Sequence, residues 1–169
     1  ADVLTVVYNF VDALSHAKTD IEVVRELASD DSAYRRLVKT WLEGSPLLKM
    51  LQWASQQGFT VVLTTDHGTV NVHRPSKVVG TKHLTTNLRY KTGNGMSYQS
   101  KHSFVVKDPN AIGLPKQHIA DECIFALSDL FYVYPNRYNH FVQYYRNTYQ
   151  HGGVSLEELI IPYAVLTSK

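Results

Sequence analysis

Apolar residues recur along this chain with two different periods. Across residues 20–57 the spacing is three and four: Ile21, Val24 and Leu27, then Tyr34, Leu37, Val38, Trp41 and Leu42, with Glu22, Arg25, Glu26, Arg35, Arg36 and Lys39 opposite. That spacing predicts amphipathic helices. Asp30-Asp31-Ser32 breaks the first and can cap the second. Gly44-Ser45-Pro46 ends the second and opens a third, with Ser45 as N-cap and Pro46 in the first helical position. Leu47, Leu48, Leu51, Trp53 and Ala54 give the third helix its apolar face, Gly58 stops it, and Trp41 and Trp53 read as core.

Shorter β-prone runs flank this block. Residues 4–10 (Leu-Thr-Val-Val-Tyr-Asn-Phe) and 61–64 (Val-Val-Leu-Thr) read as strands, the second of them buried. The helices between them then form the crossover of a βαβ unit, which makes the fold α/β, a sheet with helices packed on it. After Gly68 the chain becomes rich in strands and loops. Residues 70–73, 85–90, 103–106, 123–126 and 131–134 are predicted strands, and Thr92-Gly93-Asn94-Gly95 either joins two of them or covers a site. A helix is expected over 139–150, where Phe141, Tyr144, Tyr145 and Tyr149 form an aromatic packing stripe. Gly152 and Gly153 end it, Ser155 and Glu158 form an S-x-x-E capping box, and residues 159–166 are a closing strand.

Composition narrows the class. The 169 residues are 44% hydrophobic and 19% charged, which suits one globular domain with a real core. No stretch approaches the roughly 20 apolar residues of a transmembrane helix, and there is no signal-peptide pattern. The single cysteine, Cys123, lies in an apolar run and suits a reducing cytoplasm. The start, Ala1-Asp2-Val3, lacks a methionine and leads straight into a strand, so the sequence reads as a fragment.

Net charge is only +2, yet residues 71–107 hold seven basic side chains (Arg74, Lys77, Lys82, Arg89, Lys91, Lys101, Lys107) and no acidic one. An anionic substrate or partner is one reading. Ordinary solvated lysines, offset by the acidic helices before them, are the other.

The chemistry-bearing residues sit where elements end. Asp66 and His67 emerge at the carboxyl end of the 61–64 strand, where ligands bind in open α/β sheets, and Gly68 lets the backbone turn sharply. Asp12 and His16 follow the 4–10 strand four residues apart, so a helical turn there puts both on one face. His151 stands before Gly152-Gly153. Each alone has a plain reading as a cap, a turn or a surface histidine. Together they form an Asp and His set suited to zinc or a similar first-row ion.

In order, Asp12-x-x-x-His16, strand-Thr65-Asp66-His67-Gly68 and His151-Gly152-Gly153 followed by Ser155-Leu156-Glu157-Glu158-Leu159-Ile160-Ile161-Pro162 resemble the later metal-ligand motifs of the alkaline phosphatase superfamily. The fit is to its PglZ branch and, within that, to the output domain of PorX-type two-component response regulators. The resemblance covers nearly the whole chain. It implies that residues 1–169 are the C-terminal part of one PglZ domain whose N-terminal strands are missing. Asp12, His16 and His151 would bind one zinc ion, and Asp66 with His67 a second. A further Asp and the Thr or Ser nucleophile would lie upstream.

The activity so implied is two-metal phosphoryl transfer on phosphodiesters such as nucleotides, in the cytoplasm, with a receiver domain and a sensor kinase as partners. This fragment would hold one ion or none and be inactive. Lys82, His83 and Arg89 are candidates for steering the polyanionic substrate. Two other readings compete: a non-enzymatic signalling module that keeps the fold, and a nucleic-acid binder using the basic strands alone. An unpaired sheet edge would favour self-association.

Overall fold

The structure, a computed structural model, describes residues 3–81, 84–116 and 118–168. Its helical block is α1 (Phe10–Asp20), α2 (Glu22–Leu27), α3 (Asp31–Gly44) and α4 (Pro46–Gln56). Strands β1 (Val61–Thr64), β2 (Val70–Val72), β3 (Arg74–Lys77), β4 (Tyr90–Gly93), β5 (Ser103–Val106), β6 (Glu122–Ala126) and β7 (Leu130–Val133) follow. Last come α5 (Tyr138–Tyr145), β8 (Thr148–Gln150), α6 (Leu156–Leu159) and β9 (Tyr163–Leu166). The chain is α/β, as its two periods predict. It divides into two compact units, one running to Thr65 and resuming at Pro162, the other spanning Asp66–Ile161. No helix among the described residues is long and apolar enough to cross a membrane.

In the first unit the predicted helix stops are where the sequence puts them. Asp30 caps α3 by accepting from the Ala33 N–H at 2.7 Å, and Ser45 caps α4 by accepting from the Leu48 N–H at 3.2 Å, with Pro46 next in line. The Tyr34 hydroxyl ties α3 to α1, lying 2.7 Å from Ser15 Oγ and donating to the Val11 carbonyl at 3.0 Å. Trp41 stacks on Phe10 with ring centroids 3.9 Å apart. Trp53, expected in the core, instead lies half-exposed against Phe59.

The strand expected over 4–10 does not form. Residues 3–9 belong to neither helix nor strand, α1 already begins at Phe10, and Leu4 and Val7 are about four-fifths exposed, at 80% and 78%. β propensity is a preference for a pleated surface that packs against neighbours, and no described strand pairs with this segment. The βαβ crossover is therefore absent. β1 pairs instead with β9, antiparallel, with Val61 opposite Leu166 and Thr64 opposite Tyr163. Nor is β1 buried: Val62 and Leu63 are both exposed.

The second unit is built from short ladders. β2 pairs antiparallel with β8, β3 parallel with β7, and β6 lies between β4 and β5 in an antiparallel sheet. Val78, Ile124, Ala126, Leu130 and Tyr132 form one buried cluster; Val70, Val72, Phe131 and Val133 form another, against which Phe141 and Tyr145 of α5 pack. Two predicted elements change here. The expected 85–90 strand is irregular up to β4, because the Asn87 side chain accepts from the N–H groups of both Arg89 (2.7 Å) and Tyr90 (3.2 Å) and makes a turn. The expected 139–150 helix ends at Tyr145. Asn147 turns left-handed at φ 64 and donates to the Val72 carbonyl, so β8 joins β2 and Tyr149 is buried in a strand, not on a helix.

One ion pair sits at the heart of this unit. Arg89 is fully buried and Glu158 nearly so, at 0% and 4% exposure. The guanidinium donates Nε to Glu158 Oε1 (2.8 Å) and Nη2 to Oε2 (2.7 Å), and reaches the carbonyls of Ala126, Ser128 and Leu130 with its remaining N–H groups. Glu158 also accepts from the N–H groups of Gly153 (2.9 Å) and Ser155 (3.0 Å), the second being one arm of the predicted capping box. Burial works against the charged carboxyl. The Arg89 hydrogen bonds and charge, with the two backbone N–H groups, outweigh it and hold Glu158 below the usual carboxylate value.

Arg89→Ala would leave the carboxylate buried and uncompensated, so urea denaturation is expected to show a loss of about 3–5 kcal/mol, against little change for a double replacement by apolar residues of matching volume. Because the folded value of Glu158 lies below the unfolded one of about 4.3, its contribution is complete at neutral pH and is lost as pH falls through the folded value. Stability measured against pH should therefore decline below about pH 4, and less steeply in Glu158→Gln.

Candidate metal-ligand sites

Two turns at one end of the β2–β8 ribbon carry the chemistry of the second unit. Val70 lies opposite Gln150, so residues just before Val70 and just after Gln150 leave the ladder at the same end. His67 and His151 are those residues. Their rings stack with centroids 3.9 Å apart and planes 13° from parallel. Gly68 holds the first turn close to the α6 segment: its N–H donates to the Glu158 carbonyl at 2.9 Å, and a Cβ there would overlap the Glu157 carbonyl oxygen. Gly152 takes φ 104, and a Cβ on Gly153 would meet Arg89 Nη2 at 2.6 Å and Glu158 Oε2 at 2.8 Å. The ion pair thus shapes the His151 turn.

His67 Nδ1 lies 3.0 Å from the Gly68 carbonyl oxygen. A carbonyl can only accept, so Nδ1 carries the proton and Nε2 is the lone-pair nitrogen. Asp66 turns one carboxylate oxygen, Oδ1, back to the His67 N–H at 3.1 Å, and the same oxygen is 3.9 Å from His67 Nε2. Asp66 is largely exposed and His67 about one-third exposed.

In the first unit, Asp12 and His16 lie on one face of α1, with His16 Nε2 3.5 Å from Asp12 Oδ2. Asp12 also stands in the first helical turn, where the helix dipole favours a carboxylate.

The residues proposed for substrate steering fare differently. Arg89 is no exposed strand residue; the ion pair with Glu158 occupies it and no solvent reaches it. Lys82 and His83 lie outside the described residues. Much of the basic interval is spoken for: Arg74 donates Nε to Asp129 at 2.6 Å, Lys107 pairs with Glu122, and Lys91 is buried. Lys91 Nζ donates to the Thr85 carbonyl at 2.7 Å and sits 4.4 Å from the Tyr134 ring centroid, and burial pulls its pKa down to about 8. The partners Glu122, Asp129 and Glu158 all come from outside residues 71–107, which is why the interval looked uncompensated.

Residues 1–167 match the model of the BREX system PglZ alkaline phosphatase-like domain. The chain belongs to the PglZ family. None of the curated proteins matches it. A PglZ domain has a phosphoesterase-type fold, and alkaline-phosphatase-like folds are typically metal-dependent.

The donor set of this PglZ domain suits a metal. Two ligands at about 2 Å from a tetrahedral ion are about 3.3 Å apart. The Asp12–His16 separation of 3.5 Å is within a few tenths of that, and the Asp66–His67 separation of 3.9 Å needs only a small side-chain movement. The backbone acceptor on His67 Nδ1 is the outer-shell partner that metal-ligating histidines ordinarily have. Glu158 reads in the sequence as a capping residue and Arg89 as a candidate for steering substrate. Their pairing across the chain had no local signature.

Gly68→Ala must displace the Glu157 backbone and is expected to cost about 3 kcal/mol, the upper end for overpacking. Gly44→Ala, with nothing within 4 Å of the added carbon, is the control and should be neutral or stabilising. Urea midpoints of the two variants check both.

Proposed function

We propose that this PglZ domain is a metal-dependent phosphodiesterase or phosphatase, the output domain of a PorX-type two-component response regulator, acting on nucleotide-type phosphodiesters. The observation that carries the reading is the Asp66-His67-Gly68 turn. Within a family whose fold is that of phosphoesterases, it presents a carboxylate oxygen and a lone-pair imidazole nitrogen with the tautomer fixed by Gly68. In this reading Asp12, His16 and His151 hold one zinc ion, and Asp66 with His67 a second. Bound there, two divalent ions would supply Lewis-acid stabilisation of charge on the phosphoryl oxygens.

The protein's own part is orientation. Gly68 carbonyl fixes which nitrogen of His67 faces outward, the stacked His151 ring restricts its rotation, and the Arg89–Glu158 pair holds the His151 turn in place. No nucleophile is assigned to any residue of this sequence. The regulatory input would come from a receiver domain phosphorylated by a sensor kinase in the cytoplasm, with self-association as a further element of control.

Calorimetric titration of the metal-free chain with zinc should show saturable binding, weakened at least tenfold by His67→Ala and by His151→Ala. Affinity should fall as pH is lowered, because protons compete with the metal for its ligands. The longest obtainable form of the protein should hydrolyse bis-p-nitrophenyl phosphate in zinc and lose that activity in the same variants. Zinc binding without turnover in the long form would favour the signalling module; absence of both would overturn the metal reading.

A further inference from the structure

The two sides of α5 carry different chemistry. Tyr138, Phe141, Val142 and Tyr145 pack against the buried cluster of Val70, Val72, Phe131 and Val133. The outer side carries Asn139, His140 and Gln143, all exposed, and Arg137 and Arg146 stand exposed at the two ends of the helix. At 1.5 Å of rise per residue the two arginine positions are about 13 Å apart along the axis. Exposed Lys77 joins the first end, its Nζ 5.3 Å from the Tyr138 ring centroid.

The wet side of a surface helix ordinarily mixes acids with bases, and this one does not. Residues 130–156 contain no Asp or Glu. Unlike Arg74 and Arg89, Arg137 and Arg146 have no carboxylate within ion-pair distance among the described residues. Asp129, the acid before this stretch, is held by Arg74. Between the arginines the His140 ring stacks on Tyr144, one turn on, with centroids 6.2 Å apart and planes 19° from parallel, and the Phe141 ring meets it edge-on at 5.2 Å. A planar ring braced in this way, with solvent on its outer side, is a platform for a nucleobase. The Asn139 and Gln143 amides beside it offer both donors and acceptors to a base edge. An acidic peptide would use the arginines and leave the ring idle, and a lipid surface would need apolar side chains where these polar ones stand.

We propose that the outer side of α5 docks a single strand of nucleic acid, a base stacking on His140 while phosphates meet Lys77 and Arg137 at one end and Arg146 at the other. The surface needs neither a metal nor phosphodiesterase activity to do this.

The probe is a fluorescein-labelled single-stranded DNA of mixed sequence and about 12 nucleotides, titrated with the full chain in EDTA and read by anisotropy between about 50 and 200 mM salt. Binding is expected, with log K falling against log salt at a slope of roughly −2, the value for three phosphate contacts on a single strand. Arg137→Asn, which suits the left-handed φ of 50 at that position, and Arg146→Gln should each reduce the slope by about 0.7. His140→Ala should weaken binding roughly tenfold and leave the slope unchanged, a split that unfolding would not produce. RNA of the same sequence should bind within about threefold, because neither the stack nor the phosphate contacts read the sugar. No binding at about 100 μM protein, a slope unchanged in both arginine variants, or full affinity in His140→Ala would overturn the proposal. So would a roughly tenfold preference for either sugar, or displacement by polyglutamate as readily as by unlabelled oligonucleotide. Metal is chelated throughout, so the result stands apart from that of the zinc titration.

Discussion

A buried guanidinium and a buried carboxylate cannot be left alone in a low-dielectric interior, and that requirement organises the second unit. Arg89 needs acceptors for its N–H groups and finds them in Glu158 and in the carbonyls of Ala126, Ser128 and Leu130. Glu158 needs donors and takes them from Arg89, Gly153 and Ser155. These bonds join the β4 entrance, the β6–β7 turn and the α6 segment. Such a pair is weak support for net stability, since its desolvation offsets much of its attraction. In the structure every guanidinium nitrogen and both carboxylate oxygens of the pair have a partner.

That arrangement reinterprets the charge pattern. A run of seven basic residues without an acid suggests a positive surface when the chain is read linearly. Folding brings Glu122, Asp129 and Glu158 back onto Lys107, Arg74 and Arg89, and puts Lys91 under the Tyr134 ring. Local charge density along a sequence is not surface potential when side-chain hydrogen bonds join residues some 40 to 70 positions apart, as Arg89 is joined to Leu130 and Glu158 by separations of 41 and 69.

What was legible in the sequence was what local chemistry decides. The caps at Asp30 and Ser45, the break at Gly58, and strands β5, β6 and β7 follow from propensity, capping and period. What failed depended on distant neighbours. The 4–10 strand needs a ladder partner, the second half of the 139–150 helix was claimed by β2, and Asn87 replaced a strand with a turn. At the site, the residue types of Asp66, His67 and His151 were readable from motif. The stacking of the two histidines follows from the β2–β8 register, which no motif records.

Three consecutive residues carry three separate duties. His151 stacks on His67, Gly152 turns the backbone left-handed at φ 104, and Gly153 donates to Glu158 in a space with no room for a side chain. A side chain at Gly152 would be strained and one at Gly153 would overlap the ion pair, so a substitution at either glycine also disturbs the turn that carries His151.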